Sequence, residues 1–469
     1  MVAEREGYDL VVLGSGAAGF AAAIRATELG AGVALVESAT VGGTCVNTGC
    51  IPSKAMLAPA DLLFRAGHHP FPGIATRADG VDLPALSAAR ADLVERLRRE
   101  RYLDVADGHG FGVLPGPARF EDASTIAIGG RRLSAGALVV ATGASPLLPP
   151  IEGLAEAAPL TTTTALELTE LPAELVVIGT GPSGLEMGQL LLHLGSRVTF
   201  LESEPRIAPE EEPETSDALR GALEDAGATV MTGVAITRVS REGGRRALTV
   251  EHDGWERTIG TDQVLVAAGR RPNSEDLEPA RAGIAVDARG ALWVDGALRT
   301  TNPRVWAAGD VTGHPQLVYL AAREGALAAS NALLGRAETL DLRALPRVIF
   351  TSPTAAAAGL TAAQAEEQGI ACDSRVLPMS AVPRAIVNRD TRGFVKLVAE
   401  VGTGRILGAS VVAEGAGEVI LGAVYAIQFG VTTAQLAATW APYLTVAEGL
   451  RLAAQTFTRD VGTLSCCAA

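Results

Sequence analysis

Two apolar runs that each close on G-x-G-x-x-G, a matched acid after each, and a third region of alternating β-like and helical stretches predict an α/β chain. The runs are YDLVVLGSGAAG (8–19) and AELVVIGTGPSG (173–184). Each leads into an Ala/Leu-rich helical stretch and a second β-run, VALVE ending at Glu37 and VTFLE ending at Glu202. First glycine and acid are 23 positions apart in both copies, Gly14 to Glu37 and Gly179 to Glu202. Gly14, Gly16 and Gly19, and again Gly179, Gly181 and Gly184, allow a tight turn whose N–H groups meet a pyrophosphate at a helix N-terminus. The acids suit ribose hydroxyls. The expected architecture is two Rossmann-like dinucleotide-binding domains followed by a C-terminal α/β domain.

After each fingerprint comes an apolar strand ending in glycine. ALVVATGASP (137–146) carries Thr142 and Gly143, and QVLVAAGRRPN (263–273) carries Gly269. TTNPRVWAAGDVTG (300–313) predicts a strand, a turn at Gly309–Asp310 and a helix near 317–334. Asp310 is placed to accept hydrogen bonds from a ribityl chain, or to cap the helix. The region 346–469 alternates β-like runs (FVKLVAE, ILGASVV) with Ala/Leu helices and has no nucleotide fingerprint, so it reads as an interface domain. The expected division is 1–149 for the first dinucleotide domain, 150–274 for the second, 275–345 for a return to the first, and 346–469 for the interface domain.

Of 469 residues, 48% are hydrophobic and 20% charged, which excludes a disordered chain. The net charge of −14 disfavours nucleic acid and anionic membrane as partners, since both reward a basic surface. The N-terminal residues lack a basic region before the apolar run, and no apolar stretch approaches the ~20 residues of a membrane span. A cytoplasmic chain with reduced thiols is expected, and five cysteines are too few for a disulfide scaffold. Only two lysines occur, Lys54 and Lys396, and none of the six histidines lies beyond His314.

Between the first fingerprint and the next strand lies VGGTCVNTGCIPSK (41–54). In a regular helix Cys45 and Cys50 would stand ~7.5 Å apart along the axis, whereas a disulfide wants Cα atoms within ~7 Å. The intervening turn must therefore be distorted, and Gly49 permits that. The helix that follows favours thiolate over thiol at its N-terminus. The pair reads as a redox dithiol beside a flavin.

GGTCVNTGCIPSK, the two fingerprints and the AAGD motif resemble the pyridine nucleotide–disulfide oxidoreductases over essentially the whole chain. The resemblance implies FAD at the first fingerprint, with Gly43 and Thr44 beside it, and NADPH or NADH at the second. It implies Cys45 as the outer thiol, Cys50 against the flavin, and Lys54 near the flavin, paired with Glu186. Lysine at position 54, in a chain that otherwise uses arginine, points to a compact, pKa-tunable ammonium. Disulfide reductases of this type end in His-Pro-Thr-x-x-Glu, with the histidine as proton shuttle. Here APYLTVAEG (441–449) keeps Thr445 and Glu448 but places Tyr443 where the histidine belongs. A phenol of pKa ~10 is a poor shuttle at neutral pH, so lipoamide dehydrogenase-like disulfide reduction is the disfavoured alternative.

The sequence ends GTLSCCAA, with Cys466 and Cys467 adjacent. A prenylation box is formally matched, but Cys467 is a poor aliphatic and no polybasic segment precedes it. Thiolates select soft metal ions and exchange them stepwise. YLTVAEGLRLAAQTF…LSCCAA closely resembles the end of the mercuric reductase branch of the family. That resemblance implies capture of Hg(II), carried by small thiols, at Cys466 and Cys467, and relay to Cys45 and Cys50. It implies Tyr443 and Tyr102 lining the inner site, and a homodimer in which the tail of one subunit reaches the active site of the other. The N-terminal metal-binding domain found in many of that branch does not precede the flavin fingerprint here, so capture is expected from the terminal pair. Glu202 suits NADH, Arg206 is a candidate counter-charge for a 2′-phosphate, and the choice of coenzyme stays open. Cys372 reads as a structural or surface cysteine.

Overall fold

The computed structural model of the chain describes residues 7–460, so Cys466 and Cys467 lie outside the described residues. The chain groups into two compact units. One comprises Met1–Ala55, Pro84–Leu147 and Gly269–Leu340; the other comprises Met56–Leu83, Leu148–Ala268 and Asp341–Ala469.

The first unit begins β1 (Tyr8–Leu13), α1 (Ala17–Glu28) and β2 (Val33–Glu37), as the first fingerprint predicts. Its sheet runs Gly112–Pro115, β2, β1, Arg131–Val140, Thr125–Ile128, Ala118–Phe120, with Val305–Ala307 also pairing to Arg131–Val140. β1 is buried on both faces: Leu10 and Val12 join one core with Phe20 and Phe111, while Val11 and Leu13 join another with Phe120 and Ile126. That double burial is why the run is continuously apolar rather than alternating. Leu13 stands opposite both Val36 and Val140, and Val140 opposite Ala307. Gly14, Glu37, Thr142–Gly143 and Gly309–Asp310 therefore leave the sheet together at its carboxyl edge. The strand order reverses at β1, and open α/β sheets bind ligands at that crevice.

Arg270–Pro272 pairs antiparallel with Ala144–Pro146. This pairing draws the GRRPN segment into the first unit, whose last stretch is Gly269–Leu340.

The second unit holds an all-parallel sheet in the order Thr229–Met231, Arg197–Leu201, Glu174–Ile178, Gln263–Val266, Leu160–Thr161. The helix Pro182–Leu194 follows the second fingerprint. A separate five-stranded antiparallel sheet packs its Val395, Leu397 and Val411 against Ile420 and Ala423 of the helix Ala416–Gln428. The regions expected as separate domains, 150–274 and 346–469, share this one unit because side chains of the first bond main chain of the second. Glu186 accepts the Phe350 N–H at 2.9 Å, and Gln189 exchanges bonds of 2.7 and 3.1 Å with the Ser352 main chain. Among the described residues no helix is long and apolar enough to cross a membrane.

Candidate active site

In the first unit the cysteine segment forms two helices, α2 (Gly43–Asn47) and α3 (Cys50–Gly67). The distortion demanded by the Cys45–Cys50 spacing occurs between them, at Thr48, whose φ of −140° breaks the helix. Gly49 keeps this turn close: a Cβ there would lie 3.0 Å from the Thr44 carbonyl oxygen and 3.2 Å from its Cγ2, so a side chain would press Thr44 outward by a few tenths of an ångström. Asn47 fastens the loop by donating from Nδ2 to the carbonyls of Val41 (3.0 Å) and Gly43 (2.9 Å).

Cys45 is half-buried, and Cys50 is exposed at the first residue of α3. The Cys45 thiol is pushed far above the ordinary range, first by its hydrogen bond to Cys50, then by burial and by negative charge at Cys50; Lys54, one turn along α3, opposes this. Cys50 begins α3, and a helix N-terminus favours a thiolate there.

Tyr102 has a closer relation to this pair than its helical context suggests. It sits in a π-helical turn, Arg99–Leu103, and stacks edge-on to Phe20 at 4.7 Å. Its hydroxyl is pushed up to about 12 by burial and by the charges of Cys45 and Cys50, so it remains a protonated donor. The π turn is the signal that sequence periodicity could not give.

The glycine fingerprints fit dinucleotides in the way the sequence predicts, and the fit is the same twice. A Cβ on Gly14 would lie 2.4 Å from the Ala141 oxygen, and one on Gly179 2.7 Å from the Ala267 oxygen. Cβ atoms on Gly19 and Gly184 would strike the carbonyls of Gly14 (1.8 Å) and Gly179 (2.0 Å), so helix and turn are in contact. Gly16 and Gly181 face open space, with nothing within 4 Å, and the helices they begin carry no side-chain cap. Uncapped N–H groups beside a bare backbone are a cradle for a phosphate group.

Both acids are held by a hydroxyl residue between the first two glycines. Glu37 accepts from Ser15 N (2.9 Å) and Oγ (2.5 Å), and Glu202 from Thr180 N (2.9 Å) and Oγ1 (2.6 Å). Ser15 and Thr180 were not singled out by sequence, although a hydroxyl at the same place in both copies was the available signal. Arg206, the candidate counter-charge, instead donates to the carbonyls of Glu211 and Pro209, each at 2.6 Å.

Asp310 lies beyond Val305–Ala307, within a short 3-10 turn whose N-cap is Gly309, so it does not cap the long helix that follows at Val318–Leu334. Burial pushes its carboxyl up, opposed by Arg270, whose Nε lies 3.8 Å away. The turn is held by Glu324, 1% exposed, which accepts the Gly309 N–H at 2.7 Å and pairs with His314 Nδ1 at 2.7 Å. Thr142 Oγ1 donates to the Asn273 carbonyl at 2.7 Å, and Asn273 N donates to the Gly143 carbonyl at 2.9 Å. Arg270, Asn273 and Glu324 were also missed, being scattered and without motif.

Glu186, Tyr443 and Glu448 belong to the second unit, apart in sequence from the dithiol. Tyr443 is half-exposed on a loop whose next residue, Leu444, has φ +61°, a strained value for a side chain of that size. Glu448 is 3% exposed and accepts from Arg451 at 2.8 Å. Among the described residues no group of three or more His, Cys, Asp or Glu forms a metal cluster.

The Pyridine nucleotide-disulphide oxidoreductase family model matches residues 8–325, and its dimerisation-domain model matches 345–454. The chain is 48% identical over 474 residues to a mercuric reductase of Streptomyces lividans, covering 100% of both chains. It is 46% identical over 461 residues to one of Bacillus cereus, covering 98% of this chain and 73% of that one. Among solved structures it resembles the HOCl-induced flavoprotein disulfide reductase RclA from Escherichia coli, with a TM-score of 0.86 and 30% identity, covering 96% of this chain and 100% of that one. With this match over most of its length, and with the paired cradles and the dithiol in place, the chain belongs to the pyridine nucleotide–disulphide oxidoreductase family.

Proposed function

We propose that the protein is a homodimeric, FAD-dependent reductase that takes Hg(II) to Hg(0) with electrons from NAD(P)H. The observation that carries the reading is the dithiol itself: Cys45 and Cys50 are hydrogen-bonded to each other beside the Tyr102 hydroxyl, while Tyr443 stands where a disulfide reductase keeps its histidine. FAD fits the cradle of Gly14, Gly16 and Gly19 with Glu37, Gly43 and Thr44 on one side and Thr142, Gly143, Gly269, Gly309 and Asp310 on the other. The nicotinamide coenzyme fits Gly179, Gly181, Gly184 and Glu202. Bound FAD supplies the two-electron relay between coenzyme and dithiol.

Hg(II) arrives as a complex with small thiols and exchanges onto Cys466 and Cys467, whose tail serves the partner subunit. Ligand exchange passes it to Cys45 and Cys50, and Cys45 gives up its proton as its sulfur binds the ion. The Tyr102 hydroxyl donates toward the sulfur ligands, and Tyr443, by its place in the sequence, is the second tyrosine of the inner site. Lys54 holds positive charge one turn from Cys50. The bound ion takes up two electrons, leaves as Hg(0), and returns both sulfurs as thiolates. No disulfide forms in that step and no leaving thiol needs a proton, so tyrosine in place of histidine does no harm. The proposed location is the cytoplasm, where these thiols stay reduced.

The test is NAD(P)H oxidation with excess small thiol, with and without HgCl2. Oxidation that depends on Hg(II) and releases volatile mercury supports the reading; rapid turnover of lipoamide or glutathione disulfide without metal overturns it. Changing Cys466 and Cys467 together to Ala should impair turnover at limiting thiol while flavin reduction is retained. Unchanged turnover would reject the tail's role.

A further inference from the structure

The second fingerprint differs from the first in what surrounds its acid. Glu202, 8% exposed, accepts four hydrogen bonds: Thr180 N and Oγ1 on one oxygen, Ser203 Oγ (3.2 Å) and Glu204 N (3.1 Å) on the other. Four donors occupy the acceptor positions of a carboxylate. Burial pushes this carboxyl up, but the bonds from Thr180, Glu204 and Ser203 outweigh it and hold the group below the usual range. It is a fixed negative charge at neutral pH.

The cation nearest in sequence is clamped. Arg206 has two carbonyl partners at 2.6 Å, and Ser216 Oγ at 3.4 Å. The loop that carries it is tied at several points. Ala208 N donates to the Thr180 carbonyl at 3.2 Å, and Ser216 Oγ to the Ile207 carbonyl at 2.6 Å. Arg347 grips both Glu211 oxygens at 2.9 and 3.0 Å, and Lys396 holds Glu212 at 3.0 Å. Ala208 keeps a φ of +43°, which persists only where surrounding bonds determine it.

We infer that this chain selects NADH over NADPH, with Glu202 as the selecting residue and the clamped 203–212 loop as the device that withholds Arg206 from a 2′-phosphate. A ribose hydroxyl can replace Ser203 Oγ, the longest of the four donors, with little rearrangement. A 2′-phosphate brings further negative charge and no donor toward a buried anion. To answer it, Arg206 would have to release both carbonyls, and the loop is too firmly tied to follow. The inference rests on the reading of the second fingerprint as the nicotinamide coenzyme site.

The test uses FAD-loaded enzyme without mercury. Titration calorimetry gives Kd for NAD+ and NADP+, and stopped-flow bleaching of the flavin gives reduction rates with NADH and NADPH. We expect about 100-fold preference for the unphosphorylated coenzyme in both, or ~2.8 kcal/mol at 1.4 kcal/mol per factor of ten. Equal or tighter binding of NADP+ overturns the inference and leaves the mercury reading intact; failure of both coenzymes to reduce the flavin overturns both. Glu202→Gln should narrow the preference at least tenfold, and an unchanged ratio counts against it. Arg206→Ala should move both coenzymes by the same factor, whereas a selective loss of NADPH use would show that Arg206 does reach the phosphate. The wild-type ratio decides the matter even if a variant fails to fold.

Discussion

Gly16 and Gly19 are three residues apart in the same fingerprint, yet alanine should act on them in opposite ways. Gly16 has φ −68° and ψ −174°, angles open to any residue, and its Cβ would meet nothing within 4 Å. Without FAD, Gly16→Ala should leave stability unchanged or raise it by about 0.4–1 kcal/mol, by restricting the unfolded chain. The methyl would nevertheless occupy the space through which a pyrophosphate reaches the α1 N–H groups. Losing two hydrogen bonds to a charged group, at ~1.5–3 kcal/mol each, amounts to roughly 3–6 kcal/mol, or at least about 100-fold in FAD affinity. Gly19→Ala instead drives a Cβ to within 1.8 Å of the Gly14 oxygen. Relief requires α1 to move off the turn, at a cost of ~3 kcal/mol or more with or without FAD. Thermal unfolding of apoprotein, together with FAD affinity from fluorescence quenching on reconstitution, separates the two. Gly16→Ala protein that binds FAD within about threefold of wild type, or apoprotein less stable by more than ~1 kcal/mol, would refute the cradle.

Three further outcomes are expected. Lys396 bridges Glu212 and Glu214 at 3.0 and 2.9 Å. Lys396→Met leaves Glu212, whose side chain is 3% exposed, without its cation, and should cost ~3–5 kcal/mol in urea unfolding; a loss under ~1 kcal/mol would show that this ion triad is not structural. The hydrogen bond to Glu324 raises the His314 pKa against the opposing effect of burial. Its contribution is therefore complete below the unfolded value of ~6.5 and disappears as pH rises through the higher folded value. At 38% side-chain exposure that contribution is only ~0.5–1 kcal/mol, so His314→Asn should lower the melting temperature at pH 6 and leave it unchanged at pH 9. Tyr102→Phe should slow Hg(II) turnover about tenfold, the worth of one hydrogen bond to a charged sulfur, while flavin reduction by the coenzyme keeps its rate; equal slowing of both would assign Tyr102 to packing against Phe20.

What was legible in the sequence is what short, local spacing encodes. The glycine roles, the helix from Val318 to Leu334 and the break between Cys45 and Cys50 all follow from a few adjacent residues. For Gly49 the location was right but the reason differed, because the glycine avoids the Thr44 carbonyl rather than supplying an unusual φ. Illegible were contacts between segments far apart in the chain. Arg270 and Asn273 join the first unit through a strand pairing that spans over a hundred residues, and Glu324 reaches back fifteen residues to the Gly309 N–H. Tyr102 was recognisable only by resemblance, since a π turn leaves no periodic trace.

The burial of Lys396 has a practical consequence for chemical labelling. The chain holds two lysines, and Lys396 is sealed at 5% exposure in its ion triad, leaving Lys54 as the lysine within reach of solvent. Apart from the chain terminus, an amine-acylating reagent applied to the folded protein should mark essentially one position, four residues past Cys50. For most enzymes such a reagent reports the whole surface; here it becomes a local gauge of the dithiol's helix. Its rate should respond to whatever occupies the site.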